Sequence, residues 1–82
     1  MKRAEIFEEV QKIFRKVFDD EQLEIKDSTY SGDIEDWDSL EHINLIVAME
    51  KRFQLKFDIQ EVGELENVGE MIDLIERRLN GQ

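Results

Sequence analysis

The stretch EDWDSLEHI, residues 35–43, decides how this chain is read. It places one serine among acids, two residues after a tryptophan and just before the most apolar part of the sequence. Asp38 is a good N-cap, because its short carboxylate can accept from the backbone N–H of Glu41 three residues on. Glu41 stands where a capping box wants its acid, with Asp in place of the usual Ser or Thr. A helix is therefore predicted over residues 39–53. Ser39 becomes its first residue, beside free N–H groups and the positive end of the helix dipole. Asp38 and Glu41 can do the capping, so the Ser39 hydroxyl is left for other work.

Downstream of Ser39 the helix carries more apolar residues than one face can use. Leu45, Ile46, Met49 and Phe53 form one stripe, and Leu40, Ile43 and Val47 form a second, offset by roughly a quarter to a third of a turn at 100° per residue. The first is expected in a core. The second, if exposed, is a contact patch leading away from Ser39.

Upstream, residues 19–37 show no sustained period, and Asp, Ser, Thr and Gly crowd positions 27–33. A connection this long needs its own anchors in a small domain. Leu23, Ile25, Tyr30, Ile34 and Trp37 are the candidates, with Gly32 free to supply a positive φ. Before it, residues 4–18 read as an amphipathic helix, with Ile6, Phe7, Val10, Ile13, Phe14, Val17 and Phe18 at three- and four-residue spacing. After the central helix, Phe57, Ile59 and Val62 suggest a single turn or a short helix. The last helix is predicted from Val68 to Leu79, capped by Asn67 and Glu70, with Gly81 past its end and Val68, Met71, Ile72, Ile75 and Leu79 as its buried stripe. The expected fold is all-α: a four-helix bundle of three main helices and one short one, with a long loop between the first and second, in a single domain spanning residues 1–82.

Composition narrows the function. The 82 residues hold 21 acids against 11 bases, a formal charge of −10, so nucleic acid and anionic membranes are disfavoured as partners. Between Lys26 and Lys51 there is no Lys or Arg but there are seven acids, Asp27, Asp33, Glu35, Asp36, Asp38, Glu41 and Glu50. A protein partner is expected to offer a basic patch to that surface. The start, MKRAEIFEEVQKIF, is charged and amphipathic rather than an apolar leader, and no run approaches the roughly 20 apolar residues of a membrane span. A soluble cytoplasmic protein, monomeric and without membrane insertion, is expected. With no cysteine, the chain has no disulfide, thiolate metal site or thiol nucleophile of its own.

Enzyme chemistry finds little support. Ser39, His42 and Asp38 supply the residue types of a hydrolytic triad, but on one helix, with no evident oxyanion hole. A calcium loop started at Asp33 would put Asp38 where Gly is needed and Asn44 where Glu is needed. Glycine-rich phosphate loops are missing. No catalytic residue and no metal ligand is assigned.

Asp38-Ser39-Leu40, followed by Glu41 and the apolar Ile43 and Leu45, resembles the phosphopantetheine attachment motif of acyl carrier proteins, and the similarity extends over nearly the whole chain. It implies that a phosphopantetheinyl transferase places 4′-phosphopantetheine from coenzyme A on the Ser39 hydroxyl, between Asp38 and Leu40. The arm's thiol then holds an acyl group as a thioester. The phosphodiester would sit where a helix N-terminus favours an anion. By the same resemblance the helix from Ser39 is the recognition helix. Leu40, Ile43 and Val47 are its apolar contacts, and Asp38, Glu41 and Glu50 its acidic rim. Its partners are the transferase, an acyl-loading ligase or transferase, and downstream biosynthetic enzymes with basic docking patches. Asn44, Lys51 and Arg52, where fatty-acid carriers often have acids, and Trp37, where a small residue is common, depart from the general type. The W-D-S-L-x-H pattern looks more like stand-alone carriers of a dedicated pathway. A discrete aminoacyl or peptidyl carrier and a cofactor-free acidic adaptor are the alternatives.

Overall fold

The computed structural model of the chain describes residues 1–81. Among these residues four helices follow one another: α1 (Arg3–Val17), α2 (Ser39–Phe53), α3 (Ile59–Gly63) and α4 (Val68–Leu79), with a 3₁₀ turn at Ser31–Asp33 in the long connection. Among the described residues there is no strand.

The periodicity of each long helix becomes its buried face. From α1, Ile6, Val10 and Phe14 are fully buried, with Phe7, Ile13, Val17 and Phe18 packed at the edge of the core. Leu45, Ile46, Met49 and Phe53 are buried from α2, and Val68, Met71, Ile72 and Ile75 from α4. Each such side chain contributes roughly 1.5–3 kcal/mol by leaving water. Leu79 is only half-buried, and Leu74, outside the predicted stripe, is 1% exposed. It lines a groove with Leu65 and Glu61, so the face of α4 toward α3 widens the stripe.

The long connection is tied down mostly by polar atoms. The backbone N–H groups of Val68 and Gly69, at the start of α4, donate to the carbonyls of Thr29 (2.9 Å) and Asp27 (2.8 Å). Orphan donors of a helix N-terminus are thus satisfied by loop carbonyls. The Gln11 side chain accepts from Ile25 N–H, and Arg15 donates to the Leu23 carbonyl at 2.7 Å. Arg3 pairs with Asp27 and Asp73, joining α1, loop and α4. Of the expected apolar anchors, Ile25 and Trp37 are buried and Leu23 and Ile34 half-buried. Tyr30 is not an anchor. It is 51% exposed, and its ring lies over Gly32, where an added Cβ would come within 2.5 Å of it. Gly32 therefore contributes space, not a positive φ. The left-handed residues are Asp19, Gln54 and Gly81.

Candidate functional site

The first turn of α2 is built from the chain that enters it. Trp37 is buried, its indole edge-on to Phe14 with centroids 5.2 Å apart and Phe18 beside it at 6.4 Å. Asp38 follows in extended conformation as N-cap, and its carboxylate accepts from Glu41 N–H at 2.9 Å. Its carbonyl accepts from His42 N–H, which opens the helical ladder. The reciprocal half of the expected capping box does not form. The Glu41 carboxylate instead accepts from the Asn44 amide at 2.7 Å, and Asp38 N–H bonds the Asp36 carbonyl. At α4 the box is displaced by one residue. Asn67 accepts from Glu70 N–H, but Glu70 accepts from Glu66 N–H.

Trp37, just before the N-cap, and His42, the fourth residue after it, occupy the two positions that form a hydrophobic staple, a pair that fixes the angle at which the chain enters a helix. Their rings stack at 6.0 Å and 15°. The indole N–H donates to His42 Nδ1 at 3.1 Å, and Nε2 lies 3.3 Å from the Val62 carbonyl. The spacing of the pair could have been recognised from the sequence, whereas the link to Val62 could not.

Ser39 is thereby held at the first helical position on a fixed entry, exposed to solvent. The cap bond is made by Asp38, so the hydroxyl is not committed to it. Ser39 and Leu40 have backbone N–H groups too early in the helix for intrahelical partners. The residue opens onto a shallow groove of about 490 Å³ lined by Trp37, His42, Ile43, Val62 and Leu65. A hydrolytic triad is ruled out by the hydrogen bonding. Both His42 nitrogens are engaged elsewhere, by Trp37 and Val62, so Ser39 has no base. Among the described residues no cluster of side chains suits a metal ion.

The second stripe of α2 faces water. Leu40 is 66%, Ile43 56% and Val47 43% exposed, while the neighbouring Leu45 is fully buried. Asp38 is exposed beside them and Glu41 half-buried. Glu50 is turned to its own chain, accepting from Phe57 N–H at 2.9 Å. Arg52 is paired with Glu9 at 2.7 Å, and that hydrogen bond holds the Glu9 carboxyl below the usual glutamate range. Ile59, at the start of α3, is 92% exposed and adds an apolar side chain outside the Leu40, Ile43 and Val47 strip. Its only signal in the sequence was an isoleucine among polar neighbours on a segment too short to bury it.

This arrangement has known counterparts. The family described as "Phosphopantetheine attachment site" matches residues 8–75. The chain is also similar to the holo acyl carrier protein from Geobacter metallireducens, whose solution NMR structure is 38% identical over 94% of this chain and 93% of that one, with a TM-score of 0.83. The match spans all four helices, the long connection and the Asp38-Ser39-Leu40 turn, and the chain belongs to the phosphopantetheine-binding acyl carrier protein family, whose members are carriers and not enzymes, are equipped with 4′-phosphopantetheine, and work with a phosphopantetheinyl transferase and biosynthetic enzymes.

Proposed function

We propose that Ser39 is the residue to which 4′-phosphopantetheine is attached, and that residues 1–82 act as one carrier domain. The observation that carries this reading is the exposed Ser39 at the first position of α2, with capping assigned to Asp38 and entry fixed by the Trp37–His42 staple. The residues fit the group. The hydroxyl is accessible for esterification, and the free Ser39 and Leu40 N–H groups can face a phosphodiester where the helix dipole favours an anion. Asp38 holds the turn. When attached, the group supplies a flexible arm whose thiol bears an acyl cargo as a thioester.

Leu40, Ile43 and Val47 form the apolar strip for partner enzymes, with Asp38 and Glu41 as the acidic rim nearest the attachment point. Those partners are the transferase, an acyl-loading ligase or transferase, and enzymes that process or accept the cargo. Their docking surfaces carry a basic patch opposite Asp38. The departures at Trp37, Asn44, Lys51 and Arg52 favour a dedicated pathway over general fatty-acid synthesis; the proposed working form is a cytoplasmic monomer. Among the described residues, no helix is long and apolar enough to cross a membrane.

The test is direct. The unmodified protein is incubated with coenzyme A and a broad-specificity phosphopantetheinyl transferase, and its intact mass is measured. The mass rises by one phosphopantetheine, and Ser39→Ala abolishes the gain. An unchanged mass under conditions that load a control carrier overturns the assignment.

A further inference from the structure

Helix α3 has no buried residue. Val62 and the following Leu65 reach only the edge of the core. Its position therefore depends on polar links at its flanks. On one side Arg78 of α4 pairs with Glu61, and with Asp58 at 3.7 Å. On the other, His42 of α2 meets the Val62 carbonyl.

The chemistry of the His42 link is determined by its partners. An indole N–H can only donate, so Nδ1 must accept; a carbonyl can only accept, so Nε2 must donate. Both bonds coexist only in the neutral ring carrying its hydrogen on Nε2. Protonation adds a hydrogen to Nδ1 and sets donor against donor at Trp37. Trp37 is 7% exposed and wedged against Phe14 and Phe18, whereas His42 is half-buried, so the imidazole is the part that moves. When it turns, Nε2 leaves Val62.

We propose that His42 is a positioning residue that, in its neutral form, latches α3 to α2 across the groove beside Ser39, and that its protonation releases that flank of α3. The groups around it do not provide a substitute hold. At the start of α2, the N-cap Asp38 lines the same groove and Glu41 is bonded to Asn44. In the preceding loop Glu35 and Asp36 are exposed. On α3, Glu61 is taken by Arg78, and Glu64, just past its end, lines a different groove with Glu70, Asp73 and Arg77 of α4. The groove's lining includes no Lys or Arg but does include the Asp38 carboxylate, which tolerates an imidazolium. The latch stands on this geometry alone. Its consequence for the cargo, an α2–α3 seam that is closed or open where the arm departs, rests on Ser39 bearing the arm.

The test uses the full chain, unmodified and after phosphopantetheinylation. His42 is the sole histidine and Trp37 the sole tryptophan, so each gives one unambiguous NMR probe. At about pH 8 the ring nitrogens should report the neutral Nε2–H tautomer, and the indole N–H should be hydrogen-bonded. Imidazoles as a class change charge between about pH 8 and 5. Over that interval the Trp37 indole signal should shift together with the His42 ring signals. Protection of the α3 amides against exchange, corrected for intrinsic rates, should fall about three- to tenfold, the factor one hydrogen bond supports. His42→Phe, which keeps the stack, should show the lower protection at both pH values. His42→Gln, which can accept and donate without titrating, should keep the higher. An Nδ1–H tautomer at pH 8 overturns the latch. So does α3 protection that is unchanged with pH in the wild type, or pH dependence that persists in either variant. The intact mass reports the arm separately: a chain that takes up no phosphopantetheine removes the cargo consequence and leaves the latch measurement standing.

Discussion

Two apolar residues of α2, two positions apart, meet opposite surroundings, and replacing each by alanine separates core from docking surface. Leu45 is 0% exposed and Ile43 is 56% exposed. Removing a fully packed leucine side chain forfeits its transfer energy and leaves a cavity, so Leu45→Ala should cost about 2–5 kcal/mol. For Ile43, full burial would be worth roughly 1.5–3 kcal/mol, and with about half the side chain still in water the loss should be about 1 kcal/mol or less. In a domain of this size 1 kcal/mol moves Tm by about 4–8 °C. Leu45→Ala should thus lower Tm by at least about 8 °C, and Ile43→Ala by less than that. Thermal and urea unfolding followed by far-UV circular dichroism measures both. Loading by a phosphopantetheinyl transferase gives the complementary result. At a temperature where all variants are folded, Ile43→Ala should lower kcat/KM about tenfold, the effect of one apolar anchor worth 1–2 kcal/mol, and Leu45→Ala should leave it near the wild-type value. If Ile43→Ala destabilises as much as Leu45→Ala, Ile43 belongs to the core and the docking strip is misassigned.

Three further outcomes follow from the geometry. Asn67→Ala removes the acceptor of Glu70 N–H and should cost about 1 kcal/mol in urea unfolding. Gln54 ends α2 with φ of 56°, which a side chain disfavours, so Gln54→Gly should stabilise by roughly 0.5–1 kcal/mol, read as a higher Tm. Stability should also fall on the acid side. Glu9 is held below its ordinary value of 4.5 by the Arg52 hydrogen bond, and Glu61 by the Asp58 backbone N–H and then Arg78. A carboxyl lowered in the folded state contributes fully above the unfolded value and loses that contribution as pH falls through the lower, folded one. Urea midpoints should therefore decline below about pH 4.5, and Arg52→Gln should make the decline shallower.

What could be read in advance was whatever helical geometry imposes on side-chain type. Ile6, Val10 and Phe14, or Leu45, Ile46, Met49 and Phe53, share a face because 100° per residue puts them there, and that face is buried. The exposed strip was legible for the same reason: one helix cannot bury two stripes unless it is surrounded. The long connection was legible only in part: Ile25 and Trp37 are buried as expected and Leu23 and Ile34 pack at the edge of the core, but the carbonyls of Leu23, Asp27 and Thr29 that also hold it are groups every residue possesses and no sequence marks. Tyr30 looked like an anchor because it is large and aromatic, yet its ring found Gly32 instead of the core. At the attachment turn, Asp38 caps as its chemistry dictates. The Glu41 carboxylate had two partners within reach, the backbone N–H of Asp38 and the Asn44 amide one turn on, and only the fold shows which one it took.

The same competition for partners decides which charges of α2 an enzyme can meet. The sequence displays seven acids between Lys26 and Lys51 as one block. In the fold, Asp27 is paired with Arg3, Asp33 accepts from Tyr30 N–H, and Glu50 accepts from Phe57 N–H. These carboxylates keep their charge and still shape the field, but their oxygens are partly spoken for. Glu35 and Asp36 stand exposed in front of Asp38, at the Ser39 end of the helix. At the other end Arg52 is held by Glu9, while Lys51 and Lys56 line an open groove with Val47 and Leu55. The accessible charge along the strip therefore changes sign between the Leu40 end and the Val47 end. A uniformly basic partner surface would gain at the first and be repelled at the second. Lys51→Glu combined with Lys56→Glu should leave attachment at Ser39 intact, since a transferase must reach only the acidic end. It should speed docking with any enzyme whose surface is basic along the whole strip, and the gain should shrink as salt rises. A double variant that loads more slowly than the wild type at every ionic strength would show that the lysine end takes part in attachment, and that the division of α2 into two electrostatic halves is wrong.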